Sequence, residues 1–461
     1  MSALVSAAVL SAFFIIAYSY MSTTTSIIRS APKTVSLTVR KRGSNKQTEQ
    51  ASLLDLLRTR CPSIFSDFKP AWWLLNGHLQ TLYCVLGDFS RIDHVTYRRK
   101  YLRLPDGGTL GLDFTPTDSL GLSDDTPIIV VTHGLTGGSY EAYVRAPLSK
   151  ACAPVADGGL GYRAVVVNFR GCAGVPTTST QLYSAGHTDD LRQALIYISH
   201  IYPKAPLLGI GFSLGANVIT RYVAEEGIKS RLRSCCALGC PWDLAQNNIS
   251  IKSTFMGRRI YSRGMGTNLS NLVKKNYKAL TVDPDHPVAK AAEAVLDLKN
   301  PTLDVFDEYF TCKAGGSSPP FPFATANDYY QWASSHDVVN NIRVPYLAIN
   351  ADDDPIVQRV PLDDIQNDYI VMGLTRGGGH LGWFQSKSAL SLERWTTKPV
   401  LEWFKLMGED VLHEPTPAST IIIDQEGFLR EEERPHLGCR ELEDEVLVDW
   451  TTNEAGMLQG L

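Results

Sequence analysis

The run Leu207-Leu208-Gly209-Ile210-Gly211-Phe212-Ser213-Leu214-Gly215-Ala216-Asn217-Val218 decides how the rest of the chain is read. An apolar stretch with strand character ends in Gly-Phe-Ser-Leu-Gly, and a helix-compatible segment follows at once. A strand, a sharp turn carrying a serine and a helix leading away from it make up a nucleophile elbow. The turn strains the serine backbone. Glycines at 211 and 215 suit it because a β-carbon at either place would collide with the neighbouring strand or helix. Ser213 then sits at a helix N-terminus with its hydroxyl exposed. Gly-x-Ser-x-Gly by itself is a common pattern, so the rest of the chain has to supply partners for the serine.

Outward from the elbow, strands and helices alternate. Ile128-Ile129-Val130-Val131 is a buried strand running into His133-Gly134-Leu135-Thr136-Gly137-Gly138-Ser139, with a helix over about 140–151. Arg163 to Phe169 is the next strand, followed by Arg170-Gly171-Cys172-Ala173-Gly174 and a helix over about 187–200. Beyond the elbow come Cys235-Cys236-Ala237-Leu238, Tyr346 to Asn350, Tyr369 to Met372 and an amphipathic helix over about 398–407. Continuous apolar strands separated by helices predict an α/β fold, a mostly parallel central sheet covered on both faces. Residues 94–115 add two strands joined by Pro105-Asp106-Gly107-Gly108. From about 243 to 335 the alternation stops, and helical segments rich in aromatics take over. An insertion there is where a helical lid over the catalytic face would lie; extra helical packing without gating is the alternative.

The ends of the chain read differently. Residues 4–21 are apolar apart from Ser and Tyr, and basic residues (Arg29, Lys33, Arg40, Lys41, Arg42) follow the run. By the positive-inside tendency this predicts an N-terminal membrane anchor over 1–21 with the catalytic domain in the cytosol, at the endoplasmic reticulum or a lipid droplet. A cleaved signal peptide and a shallow hairpin insertion are the alternatives. Residues 22–64 read as a linker, and 65–410 as the folded domain. The patch Phe68-Lys69-Pro70-Ala71-Trp72-Trp73 reads as an amphipathic segment, its tryptophans assigned to core packing. Residues 411–461, with Glu431-Glu432-Glu433, read as an acidic, weakly ordered tail. Across 461 residues the net charge is −4, which gives no electrostatic footprint for nucleic acid. Nine scattered cysteines match no zinc site or disulfide framework, so reduced and mostly buried thiols are expected, with no metal.

Partners for Ser213 follow from chain order, which on an elbow of this kind runs nucleophile, acid, histidine. After Ser213 lie His286, His336, His380, His413 and His436. The first two precede the acid-bearing strand and the last two fall in or beside the tail. His380 remains, inside Gly377-Gly378-Gly379-His380-Leu381-Gly382, a loop whose glycines allow close approach. The acid belongs at the end of the preceding strand, where Asp352-Asp353-Asp354-Pro355 offers three carboxylates. Asp354 is chosen because Pro355 sets the turn behind it, with Asp353 as runner-up. The oxyanion hole is assigned to the backbone N–H groups of Leu214 and Leu135, and His133 to orienting the second of these loops. The glycines at 137 and 138 lack a P-loop lysine, so no nucleotide cofactor is expected.

Six motifs occur in one order: Asn76-Gly77-His78-Leu79-Gln80-Thr81, His133 to Gly138, Asn168-Phe169-Arg170-Gly171-Cys172, Gly211 to Asn217, Asn350 to Pro355, and Gly378 to Gly382. Together they resemble the AB hydrolase 4 family, which includes fungal medium-chain fatty acid ethyl ester synthase/esterases, membrane-anchored animal phospholipases and bacterial relatives. The resemblance covers about residues 65–410. It implies an α/β-hydrolase fold, Ser213, Asp354 and His380 as the triad, and lipophilic acyl esters or acyl-CoA as substrates, with an alcohol or water as acceptor. Monoacylglycerol lipase or phospholipase activity on a membrane surface is the alternative it leaves open. A non-catalytic scaffold on the same fold is the reading from a different class. The run Asp352-Asp353-Asp354 departs from the family pattern in holding three acids where two are expected, the acid next to Pro355 being the matching one.

Overall fold

The computed structural model describes residues 26–43, 47–118, 121–364, 366–388 and 391–449. Its strands, in chain order, are β1 (Ile27–Ser30), β2 (Ser36–Arg40), β3 (Thr48–Ser52), β4 (Thr96–Arg103), β5 (Thr109–Thr115), β6 (Ile128–Thr132), β7 (Arg163–Asn168) and β8 (Leu207–Phe212). They continue with β9 (Leu232–Leu238), β10 (Tyr346–Ala351), β11 (Ile370–Thr375), β12 (Phe384–Ser386), β13 (Leu392–Arg394), β14 (Ile421–Ile423), β15 (Leu429–Glu431) and β16 (Arg434–Asp449). The apolar runs singled out above pair side by side. Strands β11, β10, β9, β8, β6 and β7 form a parallel block at the centre of a twelve-stranded sheet.

Period-2 alternation divides the core between the two faces. Ile128 and Val130 of β6 face one cluster, with Leu191, Leu195 and Ile198 of the helix Asp189–Ile201 and Val218, Ile219 and Tyr222 of the helix Leu214–Glu226. Ile129 and Val131 face the other, with Val144 and Leu148 of the helix Ala142–Ala151 and Val400, Trp403 and Phe404 of the helix Thr397–Lys405. Each such fully buried side chain contributes about 1.5–3 kcal/mol. The adjacent Cys235 and Cys236 obey the same alternation and point to opposite faces. All nine cysteines are free, eight of them buried and Cys152 half-buried. Burial pushes every thiol up in pKa, Cys152, Cys172 and Cys240 to about 12.

The flanks correct three expectations. Residues 22–64 are not a linker where they are described. β1 adds antiparallel to β11, β2 and β3 make a hairpin, and Val39, Leu53, Leu56 and Leu57 are buried in the core. Short amphipathic pieces separated by basic residues hide this from a compositional reading. Residues 421–449 are not a loose tail either: β16 pairs antiparallel with β4 and carries β15 and β14 on its outer edge. The carboxylates of β16 and β15 have fixed partners, Glu441 and Glu445 on Lys100 and Glu431 on Arg231. Third, core packing accounts for Phe68 and Ala71 of the aromatic patch but not for its tryptophans, since Trp72 is 67% exposed and Trp73 half-exposed.

The insertion over about 243–335 is helical, with its longest helix at Ser262–Leu280. Among the described residues no helix is long and apolar enough to cross a membrane. The transmembrane helix expected over residues 1–21 lies outside the described residues.

Candidate active site

Strand β8 ends at Phe212 and the following helix starts at Leu214, so Ser213 alone makes the turn, at φ +52° and ψ −120°. This is a conformation that L-residues adopt only when their surroundings enforce it. The enforcement is steric. A β-carbon on Gly215 would come within 2.4 Å of the carbonyl oxygens of Thr132 and His133, and one on Gly211 within 2.6 Å of Ala216 Cα. The Ser213 N–H donates to Leu238 O at 2.9 Å, tying the elbow to β9.

His380 reaches Ser213 from the loop after β11. Its Nε2 lies 2.7 Å from Ser213 Oγ and its Nδ1 2.8 Å from Asp354 Oδ2. Asp354, in the loop that follows β10, accepts the N–H groups of Ile356 and Val357 on its other oxygen, at 2.8 and 2.9 Å. The carboxylate therefore accepts the Nδ1–H and leaves Nε2 as the acceptor facing the serine hydroxyl. His380 and Asp354 are almost wholly buried.

The other two aspartates shape the histidine loop. Asp352 accepts Gly377 N–H at 2.9 Å and pairs with Arg376. Asp353 accepts Gly379 N–H at 2.9 Å. Burial, with Asp352 and Asp354 nearby, pushes the Asp353 carboxyl up to about 6. Between runner-up and choice, it is Asp354 that faces the imidazole.

Leu135 and Leu214 line the same cavity as Ser213. Gly134 N–H donates to Tyr143 Oη at 3.0 Å and Thr136 N–H to Tyr183 Oη at 2.9 Å. Leu135 N–H, between them, has no acceptor among the described residues. Leu214 N–H is the first of its helix, where no intrahelical acceptor exists. His133 is buried and its pKa is pushed down to about 4 by desolvation. As a neutral ring it accepts Phe169 N–H on Nε2 at 3.1 Å and donates from Nδ1 to Gly134 O at 2.7 Å, which fixes the loop.

Sequence reasoning missed the residues that hold the histidine loop from behind. Thr81 Oγ1 accepts the His380 N–H at 2.8 Å and donates to Gly77 O at 2.7 Å. Gln80 Oε1 accepts Phe384 N–H at 2.7 Å, and its Nε2 donates to Leu74 O at 2.8 Å. The helix Gly77–Leu86 that carries both is capped by Asn76, whose side chain accepts Leu79 N–H. The signal was present: two polar residues in the register of a buried helix face.

In front of Ser213 lies a cleft of about 770 Å³, part of it open to solvent. The insertion contributes Leu244, Ile251, Met265, Leu269 and Leu303 to its walls. Among the described residues no group of three or more His, Cys, Asp or Glu is placed to hold a metal ion.

Comparison with known proteins agrees with this geometry. Residues 127–369 match the family model described as the alpha/beta hydrolase fold. The chain is 30% identical to a monoacylglycerol lipase of Saccharomyces cerevisiae, over 79% of this chain and 86% of the relative. It is 30% identical to the medium-chain fatty acid ethyl ester synthase/esterase 2 of the same yeast, over 75% and 87%. It is 28% identical to the human phospholipase ABHD3, over 71% and 76%. With the matched region spanning more than half its length and the elbow, acid and histidine brought together, the chain belongs to the α/β-hydrolase family.

Proposed function

We propose that the chain is a serine esterase and alcohol O-acyltransferase acting on medium-chain fatty acyl esters or acyl-CoA. The observation that carries this is the Asp354–His380–Ser213 relay opening directly onto a largely apolar cleft. His380 Nε2 takes the Ser213 proton as Oγ attacks the ester or thioester carbonyl, and Asp354 stabilises the imidazolium. The N–H groups of Leu135 and Leu214 hold the oxyanion. The leaving alcohol or thiol takes the proton from His380, and water or an alcohol then releases the acyl group with His380 as base again. The names of the two yeast relatives support ester chemistry on fatty acyl groups.

A membrane or lipid-droplet surface is the second part of the proposal. Trp72, Trp73, Leu79 and Leu86 are exposed on and before the helix Gly77–Leu86, and Phe255 and Ile260 are exposed on the adjacent insertion. His78 Nδ1 bonds Tyr261 Oη at 2.8 Å, which holds the two apolar groups side by side. Exposed Arg258 and Arg259 interleave with them, a pattern suited to an anionic interface. Ser26 N–H donates to Asp67 Oδ1, which ties the first described residue to the segment leading into Trp72 and Trp73.

Labelling of the full-length chain in its membrane fraction with a fluorophosphonate probe, beside Ser213→Ala, tests the catalytic reading. Labelling of the wild type alone supports it, and an acyl-chain series with and without ethanol then separates esterase from transferase. Folded wild type that takes no label sinks it in favour of a scaffold.

A further inference from the structure

The loop after β6 lies against the nucleophile: a β-carbon on Gly134 would stand 3.5 Å from Ser213 Cβ. It carries three successive N–H groups, those of Gly134, Leu135 and Thr136, and two tyrosine hydroxyls take the outer pair. Tyr143 Oη accepts Gly134 N–H at 3.0 Å and Tyr183 Oη accepts Thr136 N–H at 2.9 Å. The two side chains arrive from different parts of the fold. Tyr143 stands on the helix Ala142–Ala151, and Tyr183 in the connection between β7 and the helix Asp189–Ile201.

Both hydroxyls are fixed from behind. The Tyr143 ring packs on Phe212, the residue before the nucleophile, with centroids 5.1 Å apart, and the Tyr183 ring stacks on Phe169 at 4.8 Å. A β-carbon on Gly134 or Gly137 would come within 2.9 Å of Tyr143 Oη, so the glycines let that hydroxyl reach the main chain. Thr136 stands at φ +53°, an unfavourable conformation for a β-branched residue. Its N–H is held by Tyr183 Oη, and its carbonyl accepts Tyr140 Oη at 3.2 Å. Burial pushes the Tyr143 and Tyr183 phenols far up in pKa, so each stays a neutral hydroxyl.

We propose that Tyr143 and Tyr183 are positioning residues for acyl transfer, clasping the loop so that the Leu135 N–H meets the tetrahedral oxyanion. The inference rests on the esterase reading above. An oxyanion donor is effective when it is held in place before the charge develops, and a glycine-rich loop has no such stiffness of its own. The two hydroxyls fix the peptide planes on either side of the one that carries the Leu135 N–H. Their effect therefore falls on the transition state and not on substrate binding.

The test uses Tyr143→Phe and Tyr183→Phe in the full-length chain, each removing one oxygen and keeping the ring, with p-nitrophenyl octanoate as substrate. Tyr162→Phe is the control, a buried tyrosine beyond the C-terminus of the Tyr143 helix whose hydroxyl bonds Glu409. In each loop variant kcat is expected to fall about tenfold, short of the hundredfold or more that losing an oxyanion donor costs, with KM within about twofold. The control is expected to keep its kcat. Affinity for 1,1,1-trifluorodecan-2-one is expected to weaken by the same factor as kcat, while affinity for decan-2-one stays. Ser213 Oγ adds to the carbonyl carbon of the fluorinated ketone, its proton passing to His380, and the ketone oxygen becomes the oxyanion. With a 13C-labelled carbonyl, the pKa of that oxyanion is expected about one unit higher in the variants, one unit for each factor of ten. Thermal melts establish folding, and either loop variant decides alone if the other does not fold. Unchanged kcat, a loss confined to KM, an equal loss in Tyr162→Phe, or a lower kcat with the oxyanion pKa unmoved overturns the proposal. Failure of the esterase reading looks different, with wild type neither labelled by the fluorophosphonate nor active on the ester.

Discussion

The two walls of the active site are built on different principles. Behind Ser213 the contacts are backbone against backbone: Gly215 against Thr132 O and His133 O, Ser213 N–H on Leu238 O, Leu214 at the start of a helix. In front, the insertion over about 243–335 meets the cleft with side chains, Leu244, Asn247, Ile251, Met265 and Asp307. A wall made of main chain tolerates one geometry, since no rotamer can absorb a change. A wall made of side chains can be altered without disturbing the serine. Chemistry is thus vested in the first and choice of substrate in the second.

The sharpest way to break this contrast is at the relay. Ser213→Ala is expected to lower kcat for ester hydrolysis by about 10⁶-fold. Asp354→Asn is expected to lower it by about 10⁴-fold through loss of the correct tautomer, and the neighbouring Asp353→Asn by about tenfold. Equal effects at 353 and 354 would remove the distinction between relay and loop support. Next in size is Gly215→Ala, whose methyl would meet two carbonyl oxygens that cannot turn away. A loss of about 3 kcal/mol in denaturant unfolding is expected, against under about 0.5 kcal/mol for Ile249→Ala on the outside of the insertion.

Smaller effects lie away from the relay. Replacing Trp72 and Trp73 together by Ser is expected to weaken co-sedimentation with anionic vesicles about tenfold. A change in pH dependence completes the series. Desolvation raises the Asp307 carboxyl from 3.8 to about 7. Between those values the folded state holds a proton that the unfolded chain has released, so stability falls as pH rises through that window and levels above it. Asp307→Asn is expected to flatten the Tm profile there, as thermal melts across the window would record.

What the sequence made legible follows the same division. Gly211, Gly215 and the loop around His380 are steric necessities, and such necessities leave a fixed residue at a fixed place. The parallel block was legible because strands buried on both faces must be apolar throughout. β1, β2 and β3 were not: edge pairing draws on main-chain groups that every sequence has, and only Val39 and a short run of leucines betray the burial. β15 and β16 were masked by their acids, which read as solvated until Arg231 is seen opposite Glu431 and Lys100 opposite Glu441. Tyr143 and Tyr183 were quoted nowhere among the motifs, since a hydroxyl that clasps a loop shows itself only when its surroundings are known.

The buried thiols have a practical consequence. With their pKa raised by burial, the native cysteines hold little thiolate at neutral pH and stand largely out of reach of maleimide reagents. A single cysteine introduced on the insertion, at Ile249 or at Val282 (80% exposed), would be the fast-reacting thiol of the native chain. Spin or fluorescent labels placed there, with a second on the sheet side, would report the separation of the two walls as substrate arrives, without first stripping nine residues from the core.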